Sequence, residues 1–279
     1  MKLNIALFFC IILTGVCQAQ YYYKDLLVTG RTTAQWKTYR DNKVKAVKLL
    51  SFEASGQPSE GFEGDQTITA DLSRITTHTR STGTAESWIL AYYSPAGLPV
   101  RTVDTSDTYQ SVSEYQYNTS SQVTSITNTS TETDNHVKEV ETHLWSYDAT
   151  GKPSGMLKIR NGKDTTFVRF VTDEKGNIAE ERAARNGKDL PAVYYYYDDK
   201  GRLTDIVRYN VRAGRLLPDY VFEYEEGDRP VSMLAVPEGS NDYQKWIYTY
   251  SDKGLKAKET CFNKQRQLLG KIEYQYILK

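Results

Sequence analysis

A phrase recurs along this chain: an aromatic residue, often a polar or acidic residue behind it, and a glycine four positions on, followed by an apolar residue or proline. It reads YSPAGLP from Tyr93, YDATGKP from Tyr147, TDEKGNI from Thr172, YDDKGRL from Tyr197 and YSDKGLK from Tyr250, with degenerate copies from Phe52, Tyr117 and Tyr224. Tyr276 opens a last copy that the chain end cuts off. From Tyr93 to Tyr276 successive anchors lie 24 to 30 residues apart, room for two strands and two turns. Each copy is one supersecondary unit that needs its neighbours to bury its apolar face.

Counting back from the anchors shows which face that is. Two residues earlier stand Tyr115, Trp145, Phe170, Tyr195, Phe222, Tyr248 and Tyr274, an aromatic ladder, and four residues earlier Ser113, His143, Val168, Val193, Tyr220, Trp246 and Ile272. The residue immediately before each anchor is mostly polar. Period-two alternation marks half-buried strands. RNGKD, at Arg160–Asp164 and again at Arg185–Asp189, supplies turns at the other end of the unit, because Asn-Gly suits the type I′ hairpin.

These signals predict an all-β fold: a long, curved antiparallel meander of two-strand repeats that wraps toward its aromatic face, with one short N-terminal helix. A flat sheet would leave the ladder wet, at roughly 1.5–3 kcal/mol per ring. The helix is expected from Thr32 or Thr33 to Asn42, covering the edge strand Val44–Phe52 or plugging the open end of the sheet. Residues 20–92 read as a cap region with divergent hairpins, and 93–279 as the repeat region continuous with it. Ser73–Arg80 and Glu86–Tyr93 read as strands, and the Ser/Thr-rich stretch Asn118–Asp134 as an exposed hairpin with a long or mobile tip.

At YYYYDDKGRLTDIVRY, YDATGKP and YSDKGLK the chain resembles the tyrosine-aspartate repeats of bacterial RHS-type proteins and the animal teneurins. Only Tyr197–Leu203 matches their phrase, Tyr-Asp-x-x-Gly-Arg-Leu, completely. The resemblance implies a β-strand ribbon in a surface or secreted setting and transfers no catalytic residue.

Residues 1–19 read as a signal peptide, with Lys2, an apolar run from Ile5 to Val16, and Cys17-Gln18-Ala19 as a small-residue cleavage site before Gln20. Lipidation at Cys17 is the poorer fit, because Thr14, Gly15 and Val16 precede it. The expected location is exported: periplasmic, outer-membrane-associated or extracellular, with no transmembrane span. Cleavage leaves Cys261 alone, so packing and not a disulfide must hold the fold. Net charge of zero argues against nucleic acid as a partner.

No cofactor, metal site or catalytic residue is expected. Asp148, Asp173, Asp198, Asp199 and Asp252 follow the anchors and fit turn-forming roles better than calcium binding. His78, His136 and His143 lack a carboxylate-histidine motif and read as ordinary surface or half-buried residues, and Cys261 as a buried apolar side chain. Glu180-Glu181 and Glu225-Glu226 cannot converge on one bond, because successive strand residues face opposite sides. Tyr92, Tyr194 and Tyr196 fall on the outer phase, where exposed rings suit stacking on sugars or packing on a protein. The functional expectation is therefore a non-enzymatic secreted or envelope protein presenting a surface to a protein or glycan. The alternative is a periplasmic carrier holding a lipid or other apolar ligand against its aromatic face.

Overall fold

The computed structural model describes residues 21–84, 86–134, 136–211, 213–237, 240 and 242–279; the leader 1–19 and Cys17 lie outside these residues. One helix, α1 (Lys24–Asp41), precedes nineteen strands in a single antiparallel sheet. They are β1 (Val44–Glu53), β2 (Glu63–Ile68), β3 (Arg74–Arg80), β4 (Ser87–Tyr93), β5 (Pro99–Thr105), β6 (Tyr109–Tyr117) and β7 (Val123–Glu132). There follow β8 (Lys138–Tyr147), β9 (Pro153–Arg160), β10 (Asp164–Thr172), β11 (Ile178–Arg185), β12 (Lys188–Asp189) and β13 (Val193–Tyr197). The last are β14 (Leu203–Asn210), β15 (Arg215–Tyr224), β16 (Pro230–Ala235), β17 (Gln244–Tyr250), β18 (Lys256–Asn263) and β19 (Leu268–Leu278). β12 and β13 both pair with β11, as two halves of one stave, which makes eighteen staves.

The sheet closes, correcting the expected open meander. β1 pairs with β2 on one side and, from Val44↔Leu278 to Glu53↔Gly270, with β19 on the other. The anchor phrase supplies a physical reason for the curvature. Pairing register shifts at Tyr92/Tyr93, Gln116/Tyr117, Ser146/Tyr147, Val171/Thr172, Tyr196/Tyr197, Glu223/Tyr224 and Thr249/Tyr250, so seven anchors sit on β-bulges at one rim. Each bulge adds twist and bend, and repeating them on one rim coils the sheet until its ends meet. Closure removes both edges, so the edge strand expected at Val44–Phe52 needs no cover.

The anchor tyrosines also do work that the repeat pattern did not reveal. Six of the seven anchor-tyrosine hydroxyls donate to the carbonyl that begins the return strand of the preceding copy: Tyr117 to Pro99, Tyr147 to Val123, Tyr197 to Ile178, Tyr224 to Leu203, Tyr250 to Pro230 and Tyr276 to Lys256, at 2.6–2.9 Å. Copy is thus latched to copy around the rim. Tyr224→Phe and Tyr250→Phe should each lose about 1 kcal/mol of stability, read by urea unfolding, and the losses should add because the two latches share no partner.

The turn residues behave as local chemistry dictates. Asp148 accepts amides from Thr150 and Lys152, Asp173 from Asn177, and Asp198 from Lys200 and Arg202. On the opposite rim Asn161-Gly162 and Asn186-Gly187 all adopt positive φ, as a type I′ turn requires. The Ser/Thr-rich stretch is a correction: a tight turn at 118–122 leads into the ten-residue β7. Asn128 of β7 donates to Ser111 and Ser113, so these small polar residues face the lumen as a hydrogen-bonded patch.

α1 starts well before the expected Thr32, and Asn42 does end it. It runs through the lumen as a plug. Near its start Tyr21, Tyr23, Leu26 and Leu27 pack on a core containing Trp145, Phe170, Tyr195 and Phe222. Near its end Trp36 and Tyr39 pack with Val47, Leu49, Ile68, Tyr93 and Ile272 on the far wall. Of the ladder, Trp145, Phe170, Tyr195 and Phe222 are buried, and Tyr115, Tyr248 and Tyr274 are half-buried. The strands of residues 44–93 belong to the same wall as the rest.

Candidate functional site

β11 carries an acidic pair whose two members work on opposite sides of the wall. Glu181 points into the lumen, where it is 2% exposed. It accepts the backbone amides of Tyr22 and Tyr23 at 2.9 Å and the Tyr195 hydroxyl at 2.8 Å. α1 has no side-chain cap of its own, so a strand residue 158 positions away caps it. That explains the early helix start, since amides left open at a helix N-terminus need partners and the helix dipole favours a carboxylate there. Burial pushes the Glu181 carboxyl above its ordinary range, against the lowering by the two amides and Tyr195.

Beside it lies an ionic cluster. His143 Nδ1 is 2.6 Å from Asp25 in the first turn of α1, its Nε2 is 3.0 Å from Glu141, and Lys158 Nζ is 2.6 Å from Glu141. The Tyr22 ring stands edge-on to His143. Burial disfavours both charges, but hydrogen bonds and ion pairing prevail: His143 is raised to about 9 and Glu141 lowered to about 2. The cluster holds the plug and needs no substrate to explain it. Its signal in the sequence was His143 itself, a polar residue in a column otherwise rich in Val, Trp and Ile.

On the outer side of the wall, Glu180 is half-buried, bonded to Arg182 at 2.7 Å. It pairs across the sheet with Tyr194. Tyr194 is half-buried and Tyr196 is 48% exposed. With Val171, Asp173, Glu174, Asn177 and Asp198 they line an open groove of about 570 Å³. Asp173 is held below the usual carboxylate range by the Asn177 side chain and then by backbone amides, and Asp198 by the Arg202 backbone and guanidinium. Two rings about 7 Å apart along one strand thus stand beside charged acceptors and an amide.

The other sequence candidates scatter. Tyr92 sits on β4, opposite Arg74 and Arg101 and far around the wall from Tyr194 and Tyr196. His78 stacks on Trp88 at 4.2 Å with Glu86 beside it, and His136 lies in a turn with φ of 56°. Cys261 is buried, facing Trp246 across the lumen side of β17 and β18. Glu225 pairs with Arg229 within its turn. Among the described residues no group of three His, Cys, Asp or Glu is placed to hold a metal ion.

The chain matches no family model and no curated protein in sequence. Solved structures similar to it include a porin-like protein from Bacteroides uniformis ATCC 8492, at 9% identity over 85% of this chain and 97% of that one, with a TM-score of 0.42. A porin-like protein from Bacteroides vulgatus ATCC 8482 is similar at 12% identity over 84% and 98%, with a TM-score of 0.32. A TcdB2-TccC3-Cdc42 structure is similar at 11% identity over 80% of this chain but 14% of that one, with a TM-score of 0.33. Likeness at these scores assigns no activity, and the closed barrel rests on the strand pairing described above.

Proposed function

We propose that this chain is a non-enzymatic, exported barrel that binds a glycan in the outer groove of Tyr194 and Tyr196. The observation that carries the reading is the placement of those two rings on one rigid stave, beside Asp173, Asn177, Glu180 and Asp198. Ring faces stack on the apolar faces of sugars, and carboxylates and amides accept and donate to the hydroxyls around them. The apolar-carrier alternative is less favoured, because the aromatic face it needs is packed against Tyr21, Tyr23, Leu26 and Leu27.

The outer wall supports a water-facing barrel. Lys48, Asp65 and His78 form one cross-strand row within β1, β2 and β3, and Lys258 and Glu273 pair across β18 and β19. A transmembrane barrel turns an apolar band outward, and each charge near the bilayer midplane costs about 2–4 kcal/mol. Among the described residues no helix is long and apolar enough to cross a membrane.

Tyr194→Ala together with Tyr196→Ala should abolish binding in a glycan-array or calorimetric titration while the far-ultraviolet spectrum is kept, since both rings face outward. The reading is wrong if the native chain binds nothing in a panel spanning peptidoglycan fragments and neutral and acidic polysaccharides, or if the double variant binds unchanged. Hydrolysis of a bound polysaccharide that vanishes in Glu180→Gln would also overturn it, by making the chain an enzyme.

A further inference from the structure

The groove of Tyr194 and Tyr196 has a basic neighbour on the same outer face. Arg169 of β10 and Arg182 of β11 are Cα partners, both exposed, one step along the strands from the partners Val171 and Glu180 that line the groove. One step on a face is two residues, about 7 Å. Like charges directly opposite on one face of a sheet destabilise it, so this pair works against the wall's own stability. Its charge is only half answered. Arg182 bonds Glu180 at 2.7 Å, and Glu180 foremost, with the Tyr194 phenol after it, favours its charged form. Arg169 forms no ion pair among the described residues. On its other side Arg169 faces Gly155, with Ser146 beyond, so the neighbouring wall presents no long side chain to it. The groove's carboxylates are by contrast engaged: Asp173 with Asn177, Asp198 with Arg202 and Glu180 with Arg182, while Glu174 and Lys175 stand side by side in the turn with opposite signs. The unmet charge is the guanidinium of Arg169.

Cross-strand neighbours on one face have Cβ atoms about 5 Å apart, a spacing at which two guanidinium forks can grip one oxyanion. We propose that Arg169 and Arg182 form an oxyanion subsite and that the glycan taken by the groove is acidic, with its sugar faces on Tyr194 and Tyr196 and its carboxylate, sulfate or phosphate held between the two arginines. The inference rests on the glycan reading of the groove and adds the charge of the ligand to it. A bound oxyanion relieves the repulsion between the arginines, so ligand charge and wall stability are served by the same contact.

The test compares polymers that differ in charge alone. A polyuronate, a sulfated galactan and a phosphate-bearing mannan are each titrated calorimetrically beside a neutral counterpart made by methyl-esterification, desulfation or dephosphorylation. The native chain should bind at least one acidic polymer roughly 10- to 100-fold more tightly than its counterpart, the range expected for hydrogen bonds to a charged group; which of the three it prefers identifies the oxyanion. Arg169→Gln should lose that preference, keep the native affinity for the neutral form and, because Arg169 is exposed, keep the native urea midpoint. Raising salt from about 0.05 M to 0.5 M should erase most of the preference, since exposed charges are screened. Equal binding within all three pairs, or a preference that survives in Arg169→Gln, refutes the subsite. Neutral binding that vanishes in Tyr194→Ala with Tyr196→Ala, without any acidic preference, leaves the groove standing and sinks only this extension of it. No binding of any polymer sinks both.

Discussion

Gly97→Ala should cost the barrel about 2–5 kcal/mol, read as a fall in the urea midpoint with an unchanged slope. Gly97 has φ of +81°, in the region where a side chain costs about 1–2 kcal/mol. A Cβ built there would run into the Trp36 ring of α1, and overpacking of that kind costs a further 1–3 kcal/mol. Trp36 has no room to withdraw. It is 4% exposed, its ring nitrogen donates to the Leu72 carbonyl at 2.9 Å, and it packs beside Tyr93. Gly83→Ala is the control, since its φ of +75° carries the same backbone penalty with nothing within 4 Å of the new methyl. The difference between the two variants isolates the contact between plug and rim turn, and equal losses would show that the ring contributes nothing.

Stability should also fall as pH rises from about 6.5 to 9, and this loss should disappear in His143→Gln. The groups facing His143 are Asp25 from the helix, Glu141 on its own strand, Lys158 on the neighbouring strand and the Tyr22 ring. A histidine raised from 6.5 to about 9 contributes fully below pH 6.5 and nothing above pH 9. The shift corresponds to roughly 3 kcal/mol. Glu141, lowered from 4.5 to about 2, works the other way: its contribution is complete above pH 4.5 and lost as pH falls through 2. The clamp is therefore strongest between pH 4.5 and 6.5. Native and His143→Gln chains unfolded by urea at pH 6 and pH 9.5 give the measurement, and parallel pH profiles would show that His143 does not carry the linkage.

The parts of the fold written in short spans were legible, and those written between distant residues were not. Alternation two and four residues before each anchor assigns an inward face, because a strand presents alternate residues to alternate sides whatever it later packs against. Asn161-Gly162 and Asn186-Gly187 name their turns for a similarly local reason. The helix start was missed because its N-terminal partner, Glu181, is a strand residue 158 positions away, and no local pattern shows that pairing. Residues 118–134 were misread because Ser, Thr and Asn usually signal loops; here they form β7 and bond one another across the sheet. Tyr92, Tyr194 and Tyr196 share one outward phase, but phase does not tell which outward residues are neighbours. The barrel brings Tyr194 and Tyr196 to one groove and leaves Tyr92 on another part of the wall.

The repeat by itself determined that each unit holds two strands, the identity of both kinds of turn and which side of each strand turns away from water. Closure, the course of the plug and the two roles of Glu180 and Glu181 were decided only in three dimensions. The physical reason is that a bulge specifies a local bend, whereas the sum of seven bends specifies whether β1 and β19 meet. Once they meet, the lumen has a fixed size, and α1 with its aromatic residues is what fills it.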